Sequence, residues 1–245
     1  MIVLILAAGE GKRMKSNEPK VLHKVDFKPM LIHVVDTALR LHPKKIGIIV
    51  GKHKEIIEQT INSWQCNILD ERDPNLIEYI YQKEPKGTGH AIMCSEYFLE
   101  TNMNDCNKVL ILSGDVPLIS RQTLSRLINY QMYEGSILIN IIDAKKTAGY
   151  GRIIKIEENK FKIVEEKDAN DEQKKINIIN CGIYCFNIDK LLKNIKLLEN
   201  NNAQKEYYLT DVICHFKLKL EFPQHSYEVL GVNTKEELEN LNKII

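Results

Sequence analysis

A glycine-rich, basic loop directly follows an apolar stretch at the start of the chain. Residues 6–14 read Leu-Ala-Ala-Gly-Glu-Gly-Lys-Arg-Met, and Pro19-Lys20 follow soon after. Small residues let backbone N–H groups approach phosphate oxygens, while Arg13 and Lys20 add two cations. The spacing matches neither GxGxxG nor GxxxxGK[ST]. The loop therefore favours a triphosphate site of another kind, with a purely structural strand-to-helix turn as the alternative.

A carboxylate that could bind a metal ion lies near the middle of the chain. Asp115 follows the apolar stretch 109–112 and so falls at the carboxyl end of an expected buried strand. Open α/β sheets bind their ligands at that edge, and a carboxylate there can hold Mg²⁺. The alternative is that Asp115 caps the helix that begins near Ser120.

The elements that would position these residues alternate between strand and helix. Met30–Leu39 has helical spacing, and so do residues 91–98 after Gly87 and Gly89. The alternation predicts an α/β fold, a Rossmann-like doubly wound mixed sheet, with a small strand-rich extension after about residue 135. Strands are expected at 3–7, 46–50, 77–81, 109–112, 137–142, 151–156, 161–164, 177–186 and 227–230, and further helices at 207–216 and 234–245.

The composition is that of an ordinary globular protein. Its 245 residues are 44% hydrophobic, and 34 basic against 33 acidic residues give a net charge of +1. No overall field favours nucleic acid or a membrane as a partner, so anions must bind at a local site. The six cysteines form no CxxC pair, and the apolar Met1–Ala8 is too short to span a bilayer. A cytoplasmic protein with free thiols is expected.

Further motifs connect the opening loop to a known family. LAAGEGKRM and PKVLH are similar to the signature of the sugar-1-phosphate nucleotidylyltransferases. The chain most resembles the uridyltransferase domain of the bacterial bifunctional N-acetylglucosamine-1-phosphate uridyltransferases, which are also glucosamine-1-phosphate acetyltransferases. The motifs that carry this resemblance are GTGHA at 87–91, GDVPL at 114–118, GYGR at 149–152, VEEKDA at 164–169, NCGI at 180–183 and GVN at 231–233.

The resemblance implies a Mg²⁺-dependent transfer from UTP to N-acetylglucosamine 1-phosphate, giving UDP-N-acetylglucosamine and pyrophosphate. It implies one domain over 1–245, with a nucleotide-binding half to about 135, a sugar-binding half at about 136–233 and a C-terminal helix at 234–245. The implied catalytic residues are Arg13 and Lys20, and the implied metal ligands are Asp115 and Asn233. The implied nucleotide-binding residues are Leu6, Ala7, Ala8, Gly9, Lys20, Gln82, Gly87 and Thr88, and the implied sugar-binding residues are Gly114, Gly151, Glu165 and Asn180.

Each implied role has a chemical basis and an alternative. The Gln82 amide can pair with a base edge, whereas Thr88 could simply cap a helix. Glu165 suits sugar hydroxyls but also fits a solvated charged turn. Asn180 interrupts an apolar stretch, where an amide usually has a specific partner. From the residues alone, Asn233 is more readily a helix cap than a ligand.

Two departures from the family pattern limit these expectations. Ser113 stands where some members carry tyrosine, so an aromatic contact with the sugar is missing or supplied elsewhere. The chain also lacks the hexapeptide repeats of the acetyltransferase β-helix, so neither acetyl-CoA use nor the family's usual trimer is expected. Two alternatives stay open, namely another sugar-1-phosphate nucleotidylyltransferase, for example one that uses glucose 1-phosphate, and a catalytically idle nucleotide-sugar-binding domain.

Overall fold

The computed structural model describes residues 1–66, 75–104 and 106–245. The strands are β1 (Ile2–Leu6), β2 (Lys24–Val25), β3 (Lys28–Pro29), β4 (Lys45–Val50), β5 (Ile77–Tyr81), β6 (Lys108–Ser113), β7 (Gly135–Ile141), β8 (Arg152–Glu157), β9 (Lys160–Val164), β10 (Ile178–Asn187) and β11 (Leu218–Glu221). The α-helices are α1 (Met30–Leu39), α2 (Lys54–Cys66), α3 (Thr88–Cys94), α4 (Glu96–Asn102), α5 (Arg121–Leu127), α6 (Asp171–Lys174), α7 (Ile188–Ile195) and α8 (Lys235–Asn242). Short 3-10 helices lie at Lys12–Met14, Lys20–Leu22, Ala144–Lys146, Leu209–His215 and Ser226–Val229.

Within these ranges, nine strands form one mixed sheet whose main path runs β11-β7-β10-β6-β1-β4-β5. Strand β1 lies parallel to β4 and β6, and β5 lies parallel to β4. Strand β10 runs antiparallel to β6 and β7, and the β8–β9 hairpin joins the sheet through β10. The carboxyl ends of β1, β4, β5 and β6 therefore meet at one edge. The predicted α/β mixed sheet is confirmed.

Burial on both faces of the sheet explains why the central strands are apolar. In β1, Val3 and Ile5 pack into the hydrophobic cluster on one face, while Ile2 and Leu4 pack into the cluster on the other. All four are fully buried, and burying each such side chain stabilises the fold by about 1.5–3 kcal/mol. The strand is thereby held rigidly, and its carboxyl end has a fixed position from which the glycine-rich loop begins.

Two predicted elements differ from the structure. The predicted strand at 227–230 is wrong, because Ser226–Val229 is a 3-10 helix. Its Glu228 side chain is buried and accepts hydrogen bonds from the backbone N–H of His225 and from both N and Oγ of Ser120. These bonds close a turn that an extended strand could not form. The predicted helix at 207–216 is a 3-10 helix over Leu209–His215, and its N-cap residue Tyr208 has extended backbone.

Among the described residues, no helix has the length and apolar character needed to cross a membrane. Cys94, Cys106, Cys181, Cys185 and Cys214 are free thiols. Burial raises the pKa of the Cys185 thiol to about 12, so this group stays protonated in the core.

Candidate active site

A cavity of about 430 Å³ opens at the carboxyl edge of the parallel strands. Its wall includes the glycine-rich loop after β1, the residues that follow β5 and the end of β6. Ten of the residues singled out from the sequence line this cavity. They are Leu6, Ala8, Gly9, Arg13, Lys20, Gln82, Gly87, Thr88, Asp115 and Asn233.

The glycine-rich loop is shaped by one glycine in particular. Gly11 has φ +61°, and a Cβ built on it would lie 2.6 Å from the Cβ of Lys20. Both the left-handed backbone and this close approach require glycine. Lys20 is held against the loop in this way, and its 3-10 helix is preceded by Pro19. Gly9, in contrast, faces open space.

Lys20 joins the two predicted metal ligands. Its ammonium forms an ion pair with Asp115 Oδ2 and donates a hydrogen bond to Asn233 Oδ1 at 3.0 Å. These oxygens are 95 and 213 residues from Lys20 along the chain. A carboxylate and an amide oxygen thus converge on one cation at the cavity wall.

The helix-cap alternatives for these two oxygen donors are both wrong. The N-cap of α5 is Ser120, whose side chain accepts a hydrogen bond from Thr123 N. The N-cap of α8 is Thr234, in a capping box with Glu237. Asp115 and Asn233 are therefore not used as caps and present their oxygens to the cavity.

The residues predicted to contact a base line the same cavity. Gln82 follows β5, and its backbone N–H extends the sheet by donating to Val50 O at 2.9 Å. Thr88 is the first residue of α3 and does not cap it, because the N-cap Gly87 precedes it. The Thr88 hydroxyl oxygen instead accepts a hydrogen bond from Leu209 N at 3.1 Å. Its side chain therefore fixes the neighbouring 3-10 helix.

Five of the predicted binding residues do not line the cavity, and two of these, Ala7 and Gly114, use their backbone N–H groups in hydrogen bonds to a neighbouring strand. Ala7 is buried in the hydrophobic core, and its N–H donates to Ile49 O at 2.9 Å. That amide is not free for a phosphate, because the sheet already uses it. Gly114 is also buried, and its N–H donates to Leu6 O at 3.0 Å. Gly114 therefore ties β6 to the first residue of the loop.

The remaining three predicted sugar-binding residues form a separate cluster beside the cavity. Asn180 N donates to Gly151 O at 2.9 Å. A Cβ built on Gly151 would lie 3.5 Å from Glu165 Oε2 and 3.6 Å from Asn180 Cβ. Ser113, which does line the cavity, connects to this cluster because its hydroxyl donates to Gly182 O at 3.2 Å, and Gly182 N donates to Asn180 Oδ1 at 3.2 Å.

Glu165 is half-buried and accepts a hydrogen bond from Thr210 Oγ1 at 2.8 Å. Burial raises the pKa of its carboxyl group, with the negative charges of Asp211, Asp168 and Glu206 adding to the shift and the Thr210 bond opposing it. The solvated-turn alternative is therefore wrong for Glu165. The ionised carboxylate carries a desolvation cost in the folded protein.

Glu165→Gln is expected to raise the free energy of unfolding at pH 7–8 by about 1 kcal/mol, because the amide avoids that cost. The raised pKa means that the folded protein binds the proton more tightly than the unfolded chain. The gain should therefore shrink as the pH falls and vanish below the unfolded-state pKa, where the carboxyl group is protonated in both states. Urea unfolding at several pH values measures this. Glu158→Gln, in the exposed turn between β8 and β9, is the control and should give no gain; equal effects of the two substitutions would contradict the argument.

A buried arginine anchors the loop before β8. The side chain of Arg152 is only 1% exposed. Its Nη1 lies 2.7 Å from Glu166 Oε2 and also donates to Tyr150 O, while Nη2 donates to Thr147 Oγ1 at 2.9 Å. These contacts fix the loop that carries Tyr150 and Gly151.

Arg152→Met is expected to lower the free energy of unfolding by about 3 kcal/mol, because the Glu166 carboxylate loses the buried cation that it is paired with. Chemical denaturation measures the loss. Lys160→Met on the adjacent strand is the matched control, since Lys160 and Glu157 form an exposed ion pair at 2.9 Å, which is worth at most about 1 kcal/mol. If Arg152→Met lowered the free energy of unfolding no more than the control does, the contacts of the Arg152 side chain would add no more stability than an exposed ion pair.

Sequence reasoning missed the segment that joins the two groups of residues. This segment, residues 206–210, begins with Glu206, which lines the cavity. Tyr207 N donates to Lys86 O at 2.8 Å and Gly89 N donates to Tyr207 O at 2.7 Å. At its other end, Thr210 bonds Glu165. Only the predicted helix at 207–216 marks this part of the sequence, and a helical pattern does not signal a contact with residues 86–89.

Comparison with known proteins places this arrangement in a family. The profile of the nucleotidyl transferase family matches residues 2–228. The chain belongs to this family. The nucleotidyl transferase profile thus includes all of the cavity-lining predicted residues except Asn233.

Individual relatives agree with this assignment. The chain is 43% identical over its whole length to the bifunctional protein GlmU of Caldanaerobacter subterraneus subsp. tengcongensis, of which it covers 51%. It is 39% identical over its whole length to a protein of Acanthamoeba polyphaga mimivirus described as a probable UDP-N-acetylglucosamine pyrophosphorylase, of which it covers 96%. This nucleotidyl transferase therefore spans about half the length of its bifunctional relatives and nearly all of the viral one.

Solved structures share the fold of this nucleotidyl transferase. A UDP-glucose pyrophosphorylase complexed with UDP-glucose superposes with a TM-score of 0.74 at 20% identity, covering 99% of this chain and 97% of the other. A putative glucose-1-phosphate thymidylyltransferase from Bacillus anthracis gives a TM-score of 0.72, also at 20% identity, with 100% and 95% covered. At this identity, the likeness concerns the fold alone.

Proposed function

We propose that this nucleotidyl transferase joins UTP and N-acetylglucosamine 1-phosphate, giving UDP-N-acetylglucosamine and pyrophosphate. The observation that carries the proposal is the convergence, in one cavity, of two cations, a carboxylate–amide pair and a glutamine at the end of β5. The viral relative supports the choice of substrates, because it is named for this product and is similar over nearly its full length.

In the proposed reaction, a phosphate oxygen of the sugar phosphate attacks the α-phosphorus of UTP. The new P–O bond forms as the bond to the bridging oxygen of the β-phosphate breaks, and pyrophosphate leaves with that electron pair. A phosphate monoester is already anionic near neutral pH, so no side chain need act as a base. Arg13 and Lys20 would neutralise the charge that develops on the departing pyrophosphate.

The donor set also fits a divalent metal ion. The ammonium of Lys20 stands in for that cation, because it contacts Asp115 Oδ2 and Asn233 Oδ1 together. Mg²⁺ prefers oxygen ligands, and usually takes one or two from the protein while keeping waters and substrate phosphates. We propose that Asp115 and Asn233 hold Mg²⁺, which when bound would offset negative charge on the reacting phosphates.

The cluster of Gly151, Glu165 and Asn180 is the proposed site for the sugar. The Glu165 carboxylate can accept hydrogen bonds from sugar hydroxyls, and such charge-assisted bonds discriminate well between polar substrates. Asn180 already bonds Tyr184 OH through Nδ2 at 2.7 Å and Gly182 N through Oδ1. Its proposed role is therefore to orient the backbone at Gly182 as well as to offer its second amide hydrogen to the sugar.

The test is pyrophosphate release with Mg²⁺ across a matrix of nucleoside triphosphates and sugar 1-phosphates. Activity that is highest with UTP and N-acetylglucosamine 1-phosphate is expected. A preference for glucose 1-phosphate or for another base would overturn the proposed substrates. No release from any pair would indicate a binding domain without catalytic activity.

A further inference from the structure

The side-chain amide of Gln82 is held by the backbone carbonyl of Gly87 and by the ring of His90. Gln82 is only 5% exposed. Its Nε2 lies 3.1 Å from Gly87 O and 3.1 Å from His90 Nδ1. In the described part of the chain, its Oε1 accepts no hydrogen bond, and Gln82 lines the cavity.

The chemistry of these two partners determines whether the nitrogen or the oxygen of the Gln82 amide lies beside them. A backbone carbonyl can only accept, so the Gln82 atom beside Gly87 O must be the nitrogen. Both hydrogens of that nitrogen are then used, one on Gly87 O and the other on His90 Nδ1. His90 Nδ1 must therefore accept, which places the imidazole proton on Nε2. The acceptor capacity that remains for a ligand is that of Oε1.

His90 itself lies behind Gln82 and away from the cavity. It lines a second surface depression, together with Lys86, Met93 and Tyr207. Its ring is tilted 31° to that of Tyr207, with centroids 6.4 Å apart. His90 does not line the cavity, and its hydrogen bond to Gln82 connects it to the cavity wall.

We propose that His90 is a positioning residue that determines base selectivity, by turning the carbonyl oxygen of Gln82 toward the base. The proposal rests on the proposed function, in which Gln82 faces the base of the nucleotide. Uracil presents an N3–H donor that this oxygen can accept. Cytosine presents an unprotonated N3 with a lone pair, and two acceptors facing each other repel and are left desolvated. His90 would thus favour UTP over CTP without touching either.

Without an acceptor at position 90, the Gln82 amide loses the partner for one of its hydrogens. Rotation by 180° would then turn its NH₂ toward the cavity and its carbonyl toward Gly87 O. The rotated amide is unfavourable, because its carbonyl oxygen then faces the carbonyl oxygen of Gly87 and both are acceptors. A cytosine N3 in the cavity would accept a hydrogen bond from the NH₂ and so offset this cost. The selectivity for uracil should therefore fall, while the triphosphate contacts are unchanged.

Two substitutions distinguish the effect of the hydrogen-bond acceptor of His90 from the effect of its aromatic ring. His90→Phe keeps an aromatic ring beside Tyr207 but has no acceptor. His90→Asn loses the ring but keeps an oxygen, Oδ1, near the place of Nδ1. The measurements are the dissociation constants for UTP and CTP by calorimetry, and kcat and KM for both nucleotides. Thermal melts verify that both variants are folded.

His90→Phe is expected to lower the ratio of UTP to CTP affinity by about tenfold, with kcat for UTP within about threefold of wild type. His90→Asn should keep the ratio within about threefold of wild type. Unchanged selectivity in His90→Phe, or a larger loss in His90→Asn, would overturn the proposal and assign His90 a packing role. Equal binding of UTP and CTP by the wild type would overturn it too. Preferred UTP binding without pyrophosphate release would contradict only the proposed function, since the binding ratios still report on His90.

Discussion

Substituting alanine for Arg13 is expected to lower kcat about 10³-fold, as the removal of one preorganised charge from a phosphoryl-transfer site does elsewhere. Arg13 lies on the 3-10 helix Lys12–Met14 with its side chain exposed at the cavity. In the described part of the chain it forms no ion pair, so its charge is available to an incoming triphosphate. Because the charge on the pyrophosphate grows as the reaction proceeds, the loss should appear in kcat and kcat/KM alike. Steady-state pyrophosphate release measures both.

The adjacent Lys12 supplies the control for this substitution. It also lines the cavity, but its ammonium is paired with Glu10 Oε2 at 2.7 Å and lowers the pKa of that carboxyl group. Lys12→Ala should therefore reduce turnover only a few-fold. Both variants should melt like the wild type, since neither side chain is buried. Near-normal turnover of Arg13→Ala, or equal losses in the two variants, would contradict the assigned role.

Lys20→Met should lower kcat by about 10²–10³-fold and, at the same time, strengthen metal binding in the absence of nucleotide. The first effect follows from the loss of a cation beside the phosphates. The second follows because the Lys20 ammonium occupies the oxygens of Asp115 and Asn233 that a metal ion would need. Removing a competing cation from this pair is expected to tighten Mn²⁺ binding about tenfold. Methionine keeps the Cβ that packs against Gly11.

Electron paramagnetic resonance of free Mn²⁺ measures the metal affinity independently of turnover. Asp115→Asn is the matched variant, which keeps the shape of the side chain but removes its charge. It should lose both turnover and Mn²⁺ binding. If Lys20→Met instead bound Mn²⁺ as weakly as Asp115→Asn, Lys20 would support the metal site and not compete for it.

The parts of the fold that the sequence predicted well are those with a local signal. Continuous apolar stretches mark strands that are buried on both faces, as Ile2–Leu6 and Lys45–Val50 are. The helix Met30–Leu39 likewise has its buried side chains at helical spacing. The spacing over 207–216 predicts a helix but does not separate the α form from the 3-10 form found over Leu209–His215, because buried positions three and four residues apart fit either.

What could not be predicted is set by contacts between distant residues. The residue types at Lys20, Asp115 and Asn233 were visible in the sequence, but their meeting on one cation was not. The predicted strand at 227–230 failed for a similar reason, because the burial of Glu228 depends on Ser120, 108 residues away. A local pattern spans only neighbouring residues and cannot report such pairings, whereas the order of the motifs along the chain carries the resemblance to the family.

The hydrogen bonds of residues 206–210 have a consequence for the affinities of the two proposed substrates. At one end these residues are hydrogen-bonded to the backbone of residues 86–89 beside the proposed base site, and at the other end to Glu165 in the proposed sugar site. Under the proposed function, a shift of this segment would therefore change the affinity for both substrates. Linkage requires that the factor by which nucleotide changes the affinity for sugar phosphate equals the factor by which sugar phosphate changes the affinity for nucleotide. Under the proposed function, Thr210 and Tyr207 would then be the residues that connect the binding of one substrate to the binding of the other.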